Sequence, residues 1–373
     1  MQISVIKEEH KNEQRVSSTP DTIKLLERLG AEVLVEKGAG ELSGYDDELY
    51  ESSGAKIVDR SVCLQSDICL CVRMPSQKDI NQIKQGSILI GILNPYENKN
   101  YFNDLNNNNI TSCCMELIPR ISRAQSMDVL SSQANLAGYK SVIDAAEKFK
   151  KAFPMMMTAA GRINPAKVMI LGVGVAGLQA IATAKRLGAV VSATDVRSAT
   201  KEQVESLGGK FIMVEDDESK DSETSGGYAK EMSEEYKKKQ SILIAETIAK
   251  QDIVICTALI PGKTAPVLIS EEMVNSMDKG SIIVDLAVES GGNCPLSRVD
   301  EIVEHNGVKI IGYSNVPGRV AKDASSLYAK NIVNFLMLMI DKEEKKINID
   351  WEDEIINSVV LTHNGQVKLE KFI

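Results

Sequence analysis

The chain has 373 residues, of which 43% are hydrophobic and 25% are charged. This balance is that of an ordinary globular protein and excludes a disordered or fibrous chain. The net charge of -9, from 43 Lys and Arg against 52 Asp and Glu, would repel a phosphate backbone, so no nucleic-acid partner is expected. A chain of this length exceeds the usual single domain, and two compact units are predicted.

The N-terminus and the cysteines indicate a soluble protein of a reducing compartment. Residues 1–8 meet a charge at Lys7 and lack the apolar core of a signal peptide. The most apolar late run, 332–340, is far shorter than the roughly 20 residues of a membrane span. Seven cysteines occur without a Cys-x-x-Cys pair. Buried reduced thiols are therefore predicted, and neither disulfides nor a metal site.

Short β-rich runs alternate with helical patterns in residues 1–130. Thr19 is a predicted N-cap with Pro20 in the first turn, and Gly30 is placed to end that helix, which is predicted near 21–29. The asparagine run 106–109 is typical of a surface turn. The predicted strands are 3–6, 32–36, 56–58, 68–73, 87–93 and 110–115. This alternation predicts a parallel α/β sheet.

A second α/β series follows a helix that is predicted to link two lobes after Ser131 and Ser132. Pro154 ends this helix, and 161–165 are predicted to form a turn. One helix is predicted at about 175–187, and the predicted strands are 167–171, 190–194, 252–257, 281–286 and 308–312. The polar stretch 214–240 is too long for an ordinary connection, which predicts a mobile loop followed by a short helix.

The last part of the chain is predicted to return to the first lobe through a helix near 326–340. Asn364-Gly365 between alternating residues predicts a hairpin, which would be marginal alone and should pack on another element or on a second subunit. The expected domains are 1–130 with 326–373, and 140–325. The predicted fold class is α/β, with two Rossmann-like, doubly wound parallel-sheet domains and a nucleotide-binding cleft between them.

The strongest local motif is Gly172-Val-Gly174-Val175-Ala176-Gly177, which follows a predicted strand and opens a predicted helix. In that context the glycines indicate a dinucleotide site. Gly172 allows a tight turn, Gly174 lets the backbone approach a pyrophosphate, and Gly177 lets the helix pack on the strand. Val175 and Ala176 would present free N–H groups and the positive end of the helix dipole to that anion.

The next predicted strand leads to Asp195, where a carboxylate would accept hydrogen bonds from the ribose hydroxyls and repel a 2′-phosphate. This pattern favours NAD over NADP, although Arg197, after Val196, tempers the preference. Ligands bind at the C-terminal strand ends of open α/β sheets. Further cofactor contacts are accordingly predicted at Thr257, Ala258 and Leu259, and the strand end from Asp285 to Gly292 is a further candidate.

The segment 119–133, PRISRAQSMDVLSSQ, carries a long resemblance. Through it the chain resembles the NAD(H)-binding domain I, or separate alpha-1 subunit, of the proton-translocating nicotinamide nucleotide transhydrogenases. The resemblance implies that Arg120, Gln125 and Asp128 form the loop that holds the nicotinamide end and meets an NADP(H)-bearing partner. It also implies that Asp128 and Ser131 hold the carboxamide and that Gln125 reaches toward the partner nucleotide's ribose. A planar amide requires donors and acceptors, and the segment offers both.

The resemblance continues at 153–161, 172–188, 193–197, 199–210, 226–232, 258–266 and 291–295. In that family 226–232 is a mobile loop that closes over the nucleotide, so Gly227 and Tyr228 are expected near the adenosine. The resemblance further implies NAD(H) on this chain, NADP(H) on a partner domain, a membrane-spanning proton channel subunit and a homodimer. It implies hydride transfer coupled to proton translocation, with the chain peripheral to the cytoplasmic or matrix side of an energy-transducing membrane.

Alanine dehydrogenase resembles the same domain and is the first alternative. It needs an acid/base group, whereas hydride exchange between two nicotinamides needs mainly orientation. Alanine dehydrogenases carry Val-Lys-Glu-Pro and a catalytic histidine, and the matching stretches here are Val72-Arg73-Met74-Pro75 and Ile92-Leu93-Asn94-Pro95. The lysine and the histidine are both absent, while Arg15 is shared and does not discriminate. A non-catalytic NAD-sensing module is the third hypothesis, and a separate subunit or one piece of a longer chain are both open.

Overall fold

The computed structural model describes residues 1–214, 233–260 and 262–368. The chain divides into two compact units: unit 1 is Met1–Gln133 with Gly318–Ile373, and unit 2 is Ala134–Pro317. Both units are α/β structures on mainly parallel sheets, which confirms the predicted fold class. None of the described helices has the length and apolarity of a membrane span.

Unit 1 is organised around one large sheet. Its described strands are β1 (Gln2–Val5), β2 (Glu32–Glu36), β3 (Lys56–Val58), β4 (Ile68–Arg73), β5 (Ile88–Ile92), β6 (Thr111–Cys114), β18 (Val360–His363) and β19 (Gln366–Val367), with a separate pair β16 (Ile340–Asp341) and β17 (Lys346–Ile347). The order in the sheet is β19-β18-β6-β5-β4-β1-β2-β3. Strands β1 to β6 pair in parallel, because the connections between them return through helices or long loops.

The helices of unit 1 cover this sheet. They are α1 (Pro20–Arg28), α2 (Asp47–Ser52), α3 (Arg60–Cys63), α4 (Gln77–Ile80), α5 (Lys99–Asn107), α11 (Ala321–Leu336) and α12 (Glu354–Val359). The turn predicted at 106–109 was wrong in part, because Asn106 and Asn107 still belong to α5. The helix predicted near 326–340 begins at Ala321 and ends at Leu336, and it buries Tyr328 and Phe335 in the core of this unit.

The predicted tail hairpin is present. Asn364 and Gly365 have φ angles of 49° and 68°, the left-handed backbone that a two-residue hairpin turn requires. Strand β18 pairs antiparallel with β6, and the hydroxyls of Ser112 and Thr362 lie 2.7 Å apart across that pairing. The hairpin therefore finds its support on the sheet of its own unit.

Unit 2 contains the second parallel sheet. Its described strands are β9 (Lys167–Leu171), β10 (Val190–Thr194), β11 (Lys210–Phe211), β12 (Ile253–Cys256), β13 (Ile282–Asp285), β14 (Ile302–His305) and β15 (Val308–Ile311). They are arranged in the order β11-β10-β9-β12-β13-β15-β14. Only β14 runs antiparallel, paired with β15. Strand β14 was not predicted, although Asn306-Gly307 between it and β15 is a hairpin signal with φ angles of 50° and 83°.

The helices of the second half are α6 (Val129–Lys148), α7 (Val175–Arg186), α8 (Thr200–Ser206), α9 (Glu234–Ile248) and α10 (Glu271–Asn275). Helix α6 begins in unit 1 and continues into unit 2. Helix α9 starts inside the stretch predicted as a loop, where the Ser233 side chain accepts a hydrogen bond from the Tyr236 N–H. Gly227 and Tyr228 lie outside the described residues.

A short hairpin, β7 (Met156–Thr158) with β8 (Gly161–Ile163), follows α6. The turn predicted at 161–165 was wrong, because Gly161–Ile163 is a strand paired with Met156–Thr158. All six strand residues are exposed. The two strands pair with each other, so this apolar hairpin projects from unit 2.

Candidate functional site

The glycine-rich turn lies where β9 ends and α7 begins. Gly172 has a φ angle of 96°, and a Cβ added there would lie 2.8 Å from Thr257 Oγ1. A Cβ at Gly177 would lie 2.0 Å from the carbonyl oxygen of Gly172. A side chain at either position would therefore displace the backbone or its neighbour, which explains why the turn needs glycine at these two places.

Gly174 is glycine for a different reason. Its backbone is extended, and a Cβ built there would meet no atom within 4 Å, so the fold itself does not demand glycine. Gly174 is the N-cap of α7 and provides no side-chain cap, which leaves the N–H groups of Val175 and Ala176 to an anion. This open space in front of a helix N-terminus fits the pyrophosphate of a dinucleotide.

Helix α6 supports the start of α7 from behind. A Cβ at Gly138 of α6 would lie 2.0 Å from the carbonyl oxygen of Ala176, so the two helices touch where α7 begins. Sequence reasoning missed this position. Gly138 lies inside a helical pattern, where an isolated glycine gives no local reason for its presence.

Asp195 lies directly after β10, at the same sheet edge as the glycine turn. Its carboxylate accepts hydrogen bonds from the Val173 N–H at 2.7 Å and from the Arg197 N–H at 2.8 Å. The Arg197 side chain donates from Nε to Oδ1 at 2.9 Å and from Nη2 to Oδ2 at 2.8 Å. Asp195 thus fixes the glycine turn and is itself held by a two-point ion pair, which sequence reasoning did not predict. Val196 lies between them and is partly exposed.

The loop after β12 approaches the same turn. Thr257 donates its hydroxyl to the Gly172 carbonyl at 2.8 Å, so this side chain braces the turn. The Asn293 amide accepts from the Ala258 N–H at 3.2 Å and donates to the Ala258 carbonyl at 2.9 Å. Leu259, next in the chain, is 48% exposed. The structure therefore brings Gly172, Asp195 and Thr257 together and leaves Leu259 at the surface beside them.

The strand end after β13 is a buried polar core and not an open contact surface. Asp285 is fully buried and accepts from the Ala287 and Cys294 N–H groups and from the Ser297 hydroxyl at 3.0, 3.1 and 2.7 Å. Its neighbour Asn293 is also fully buried. Sequence reasoning identified this segment but missed the anchoring role of Asn293, whose partners lie far away in the chain.

The transhydrogenase-like segment of unit 1 contains a helix cap. Asp128 precedes α6, and its carboxylate accepts from the Ser131 N–H at 2.9 Å and from the Ser131 hydroxyl at 2.6 Å. These bonds satisfy donors at the helix N-terminus. Any ligand that binds Asp128 or Ser131 must therefore share them with the cap.

The loop before this cap is firmly attached to unit 1. The Ser126 carbonyl accepts from the side-chain amides of Asn331 and Asn334 at 2.8 and 3.0 Å. Arg123 forms a two-point ion pair with Asp353, which lowers the pKa of that carboxyl. Arg120 and Gln125 of the same loop have exposed side chains. An anchored backbone with exposed polar groups is suited to orient a ligand.

A buried ion network lies nearby in unit 1, where alanine dehydrogenases carry lysine. Glu13 binds Arg15 at 2.7 Å and Arg73 at 2.9 Å, and Gln133 accepts from Arg15 at 2.9 Å. Burial alone would raise the pKa of Glu13, but its bonds to Arg15 and Arg73 outweigh burial and lower that pKa to about 2. Arg73 is thus committed to an internal carboxylate and supplies no proton.

Two other carboxyls of unit 1 were missed by sequence reasoning. Glu8 accepts from the Val72 N–H at 2.6 Å and from the Arg73 N–H at 3.2 Å, and burial raises its pKa to about 8. Glu116 accepts from the Asn94 N–H, and burial raises its pKa to about 7. Both titrate near neutral pH, yet both also bind backbone N–H groups, which favours a structural role.

All seven cysteines are buried and unpaired, which confirms the predicted reduced thiols. Burial raises the pKa of Cys71, Cys114 and Cys256 well above the ordinary thiol value, so these groups remain protonated. Among the described residues, no group of three or more His, Cys, Asp or Glu side chains has the arrangement of a metal site.

Comparison with known proteins gives a consistent result over the chain. The family model "Alanine dehydrogenase/PNT, N-terminal domain" matches residues 4–137, and "Alanine dehydrogenase/PNT, C-terminal domain" matches 141–370. The first of the two polypeptides of NAD(P) transhydrogenase subunit alpha in Rhodospirillum rubrum is 53% identical over 98% of this chain and 97% of its own length. The protein of the same name in Rickettsia prowazekii is 47% identical over 98% and 96%. The crystal structure of a transhydrogenase from Sinorhizobium meliloti superposes with a TM-score of 0.91 at 49% identity, over 98% of this chain and 100% of that one.

Proposed function

The chain belongs to the alanine dehydrogenase/PNT family and is a transhydrogenase component, and from this premise we propose that it is the NAD(H)-binding part of a proton-translocating NAD(P) transhydrogenase. One observation carries the proposal for nucleotide binding. It is the open space at Gly174, in front of an uncapped helix N-terminus and beside Asp195.

The dinucleotide would be held by the C-terminal edge of the unit 2 sheet. The N–H groups of Val175 and Ala176 bind the pyrophosphate, and Asp195 accepts from the ribose hydroxyls. The backbone from Thr257 to Leu259, fixed by Asn293, lines the same turn. The remaining proposed contacts are Gly172, Gly174, Gly177, Val196, Arg197, Gly227 and Tyr228, the last two outside the described residues.

The nicotinamide end is assigned to Arg120, Gln125, Asp128 and Ser131. Bound NADH supplies a hydride from C4 of its nicotinamide to NADP⁺ on a partner domain. The side chains of the chain itself orient the ring: Asp128 and Ser131 offer acceptors and donors to the carboxamide, as they already do to each other. Gln125 and Arg120 face outward to the partner nucleotide. Orientation is the main requirement, because no proton moves at the reacting carbons.

The preference for NAD(H) over NADP(H) is assigned to Asp195. A 2′-phosphate would meet a carboxylate that is 7% exposed and held by two backbone N–H groups. That carboxylate cannot swing away without losing these bonds. A ribose hydroxyl, in contrast, donates a hydrogen bond to it.

The partners we infer are an NADP(H)-binding domain, a membrane-spanning subunit that carries the proton channel, and a second copy of this chain. We place the chain peripherally, on the cytoplasmic or matrix side of an energy-transducing membrane. The hairpin of β7 and β8 supports the homodimer, because Met157 and Ile163 on it are 71% and 41% exposed. Exposed apolar side chains on a small two-stranded sheet are typical of an association surface.

The test is to mix the purified chain with an isolated NADP(H)-binding domain of a transhydrogenase and to follow hydride transfer from NADH. Transfer is expected, and Gln125→Ala should slow it more than tenfold while Gln77→Ala, an exposed glutamine on α4, leaves it unchanged. Turnover of alanine with NAD⁺ by the chain alone would instead assign an amino-acid dehydrogenase. NADH binding without transfer would assign the NAD-sensing module.

A further inference from the structure

We propose that Asp195 holds Arg197 as a latent acceptor for the 2′-phosphate of NADP(H), so that the ion pair, and not the carboxylate alone, decides which nucleotide binds. The inference rests on the proposed function, because it concerns the adenosine end of the same site. It assigns Arg197 a role in specificity.

The pairing geometry carries the first step. Arg197 donates to Asp195 through Nε and Nη2, which form one edge of the guanidinium. That edge is one with which arginine clasps two oxygens of a phosphate in a bidentate hydrogen bond. As long as Asp195 is ionised, the edge is occupied and the positive charge is neutralised. The 2′-phosphate then gains nothing from Arg197 and is repelled by Asp195.

The second step concerns what remains when the carboxylate is removed. The backbone of Arg197 is fixed independently of the ion pair, because its carbonyl accepts from the Thr200 N–H at 3.2 Å and from the Thr200 hydroxyl at 2.7 Å. The guanidinium would therefore stay at the same strand end. With a side chain that is only 18% exposed, it would be left without its anion, which is costly, and a phosphate would replace the lost carboxylate.

The third step is the choice of substitution. Asparagine in place of Asp195 keeps an oxygen that accepts from the Val173 N–H, so the glycine turn retains its anchor. It removes the charge that repels a phosphate and releases the Nε–Nη2 edge of Arg197. Asp195→Asn should therefore change specificity without dismantling the site.

The experiment measures dissociation constants of NADH and NADPH by isothermal titration calorimetry on the whole chain. The wild type, D195N, R197Q and D195N/R197Q are compared, with 2′,5′-ADP against 5′-AMP as probes of the phosphate alone. D195N should raise the affinity for NADPH and for 2′,5′-ADP by about tenfold or more, since hydrogen bonds to charged groups are the stronger class. The double variant should lose this gain.

A matched control removes another carboxylate from an ion pair of the same unit. Asp252 binds Lys151 at 2.6 Å, next to the start of β9, and D252N changes the net charge by the same amount. It should leave NADPH affinity unchanged. D195S, whose hydroxyl also accepts from the Val173 N–H, repeats the test should D195N fail to fold.

The outcomes separate this inference from the proposed function. A wild type that binds NADH, with D195N and D195S gaining no NADPH affinity, overturns the role of Arg197 alone. A gain that survives in D195N/R197Q also overturns it, because simple loss of repulsion would then be sufficient. A wild type that binds neither nucleotide contradicts the proposed function itself.

Discussion

The two units carry parallel sheets of similar design but finish their C-terminal edges differently. In unit 1 the chain's own carboxylates bind the backbone N–H groups at the strand ends: Glu8 accepts from Val72 and Arg73, and Glu116 from Asn94. In unit 2 the first strand ends in glycines, and the following helix starts with no side-chain cap at Gly174.

The difference shows how one architecture gives either a closed edge or a binding edge. A backbone N–H at a strand end needs an acceptor, and an internal carboxylate or a ligand anion can each provide it. In unit 1 the acceptor is permanent and buried, so its cost appears as a raised pKa. In unit 2 the acceptor must come from outside, which is why we assign the nucleotide to that edge.

The largest effect is expected from the glycines of the unit 2 edge. Gly174→Val should weaken NADH binding by about a hundredfold or more with little change in stability, because the added side chain fills open space needed by the pyrophosphate. Gly177→Ala should weaken binding and also cost about 1–3 kcal/mol or more, because its Cβ would clash with the Gly172 carbonyl. Calorimetric titration and urea unfolding measure the two effects.

The comparison of edges breaks if Gly174→Val binds NADH as the wild type does. The pyrophosphate would then lie elsewhere, and the open space at Gly174 would have no ligand to explain it. A Gly174→Val variant that loses binding and stability together would also contradict the claim that the fold does not need glycine there.

A second large effect is expected in unit 1, where the edge is closed by carboxyls. Burial raises the pKa of Glu116 from 4.5 to about 7. The folded state thus holds a proton that the unfolded state releases, so the stability from this group is complete below pH 4.5 and is lost as pH rises through 7. The free energy of unfolding should fall by about 3 kcal/mol over that window, at about 1.4 kcal/mol per pKa unit.

Urea unfolding at pH 5 and pH 8 tests this dependence. Glu116→Gln cannot ionise and should remove most of its share of the decline, even if the amide itself destabilises the protein equally at both pH values. Glu51→Gln, an exposed carboxyl on α2, is the matched control and should keep the wild-type slope. Equal slopes for the wild type and Glu116→Gln would mean that Glu116 is already ionised at pH 5.

A smaller effect is expected from the anchor of the unit 2 edge. Asn293→Ala would leave the Ala258 N–H and the carbonyls of Ala258 and Pro266 without their partner, at a cost of about 1–3 kcal/mol. NADH affinity should fall by about tenfold, because the loop after β12 loses its position. Asn357→Ala removes an exposed amide that donates to Trp351 and should change neither quantity beyond about 0.5 kcal/mol.

Much of the fold followed from local pattern. Strands β9 and β10 begin and end where the sequence predicts them, because each is an apolar run bounded by turn residues. Strand β11 is only two residues long, and β14 alternates exposed and half-buried positions. Both exist because a neighbouring strand at the sheet edge offers a hydrogen-bonding partner, which no local pattern reveals.

The site divides in the same way. The spacing of Gly172, Gly174 and Gly177 is a local requirement of one turn, so the sequence predicts it directly. The anchoring role of Asn293 and the buried carboxyl of Glu116 depend on Ala258 and Asn94, which the fold brings close from distant parts of the chain. The cap between Asp128 and Ser131 is local, yet the resemblance directed attention to ligand binding and away from it.

The smallest effect concerns that cap and decides whether unit 1 also contacts the ligand. Asp128→Ala should cost about 1 kcal/mol through loss of the α6 cap. Ser270→Ala removes the cap of α10, where the Ser270 hydroxyl accepts from Met273 at 3.3 Å, and should cost about as much. If Asp128 also holds the carboxamide, only Asp128→Ala will weaken NADH binding in a calorimetric titration, by severalfold beyond Ser270→Ala. Equal affinities in the two variants would leave Asp128 as a helix cap alone and confine the nucleotide contacts to the open edge of unit 2.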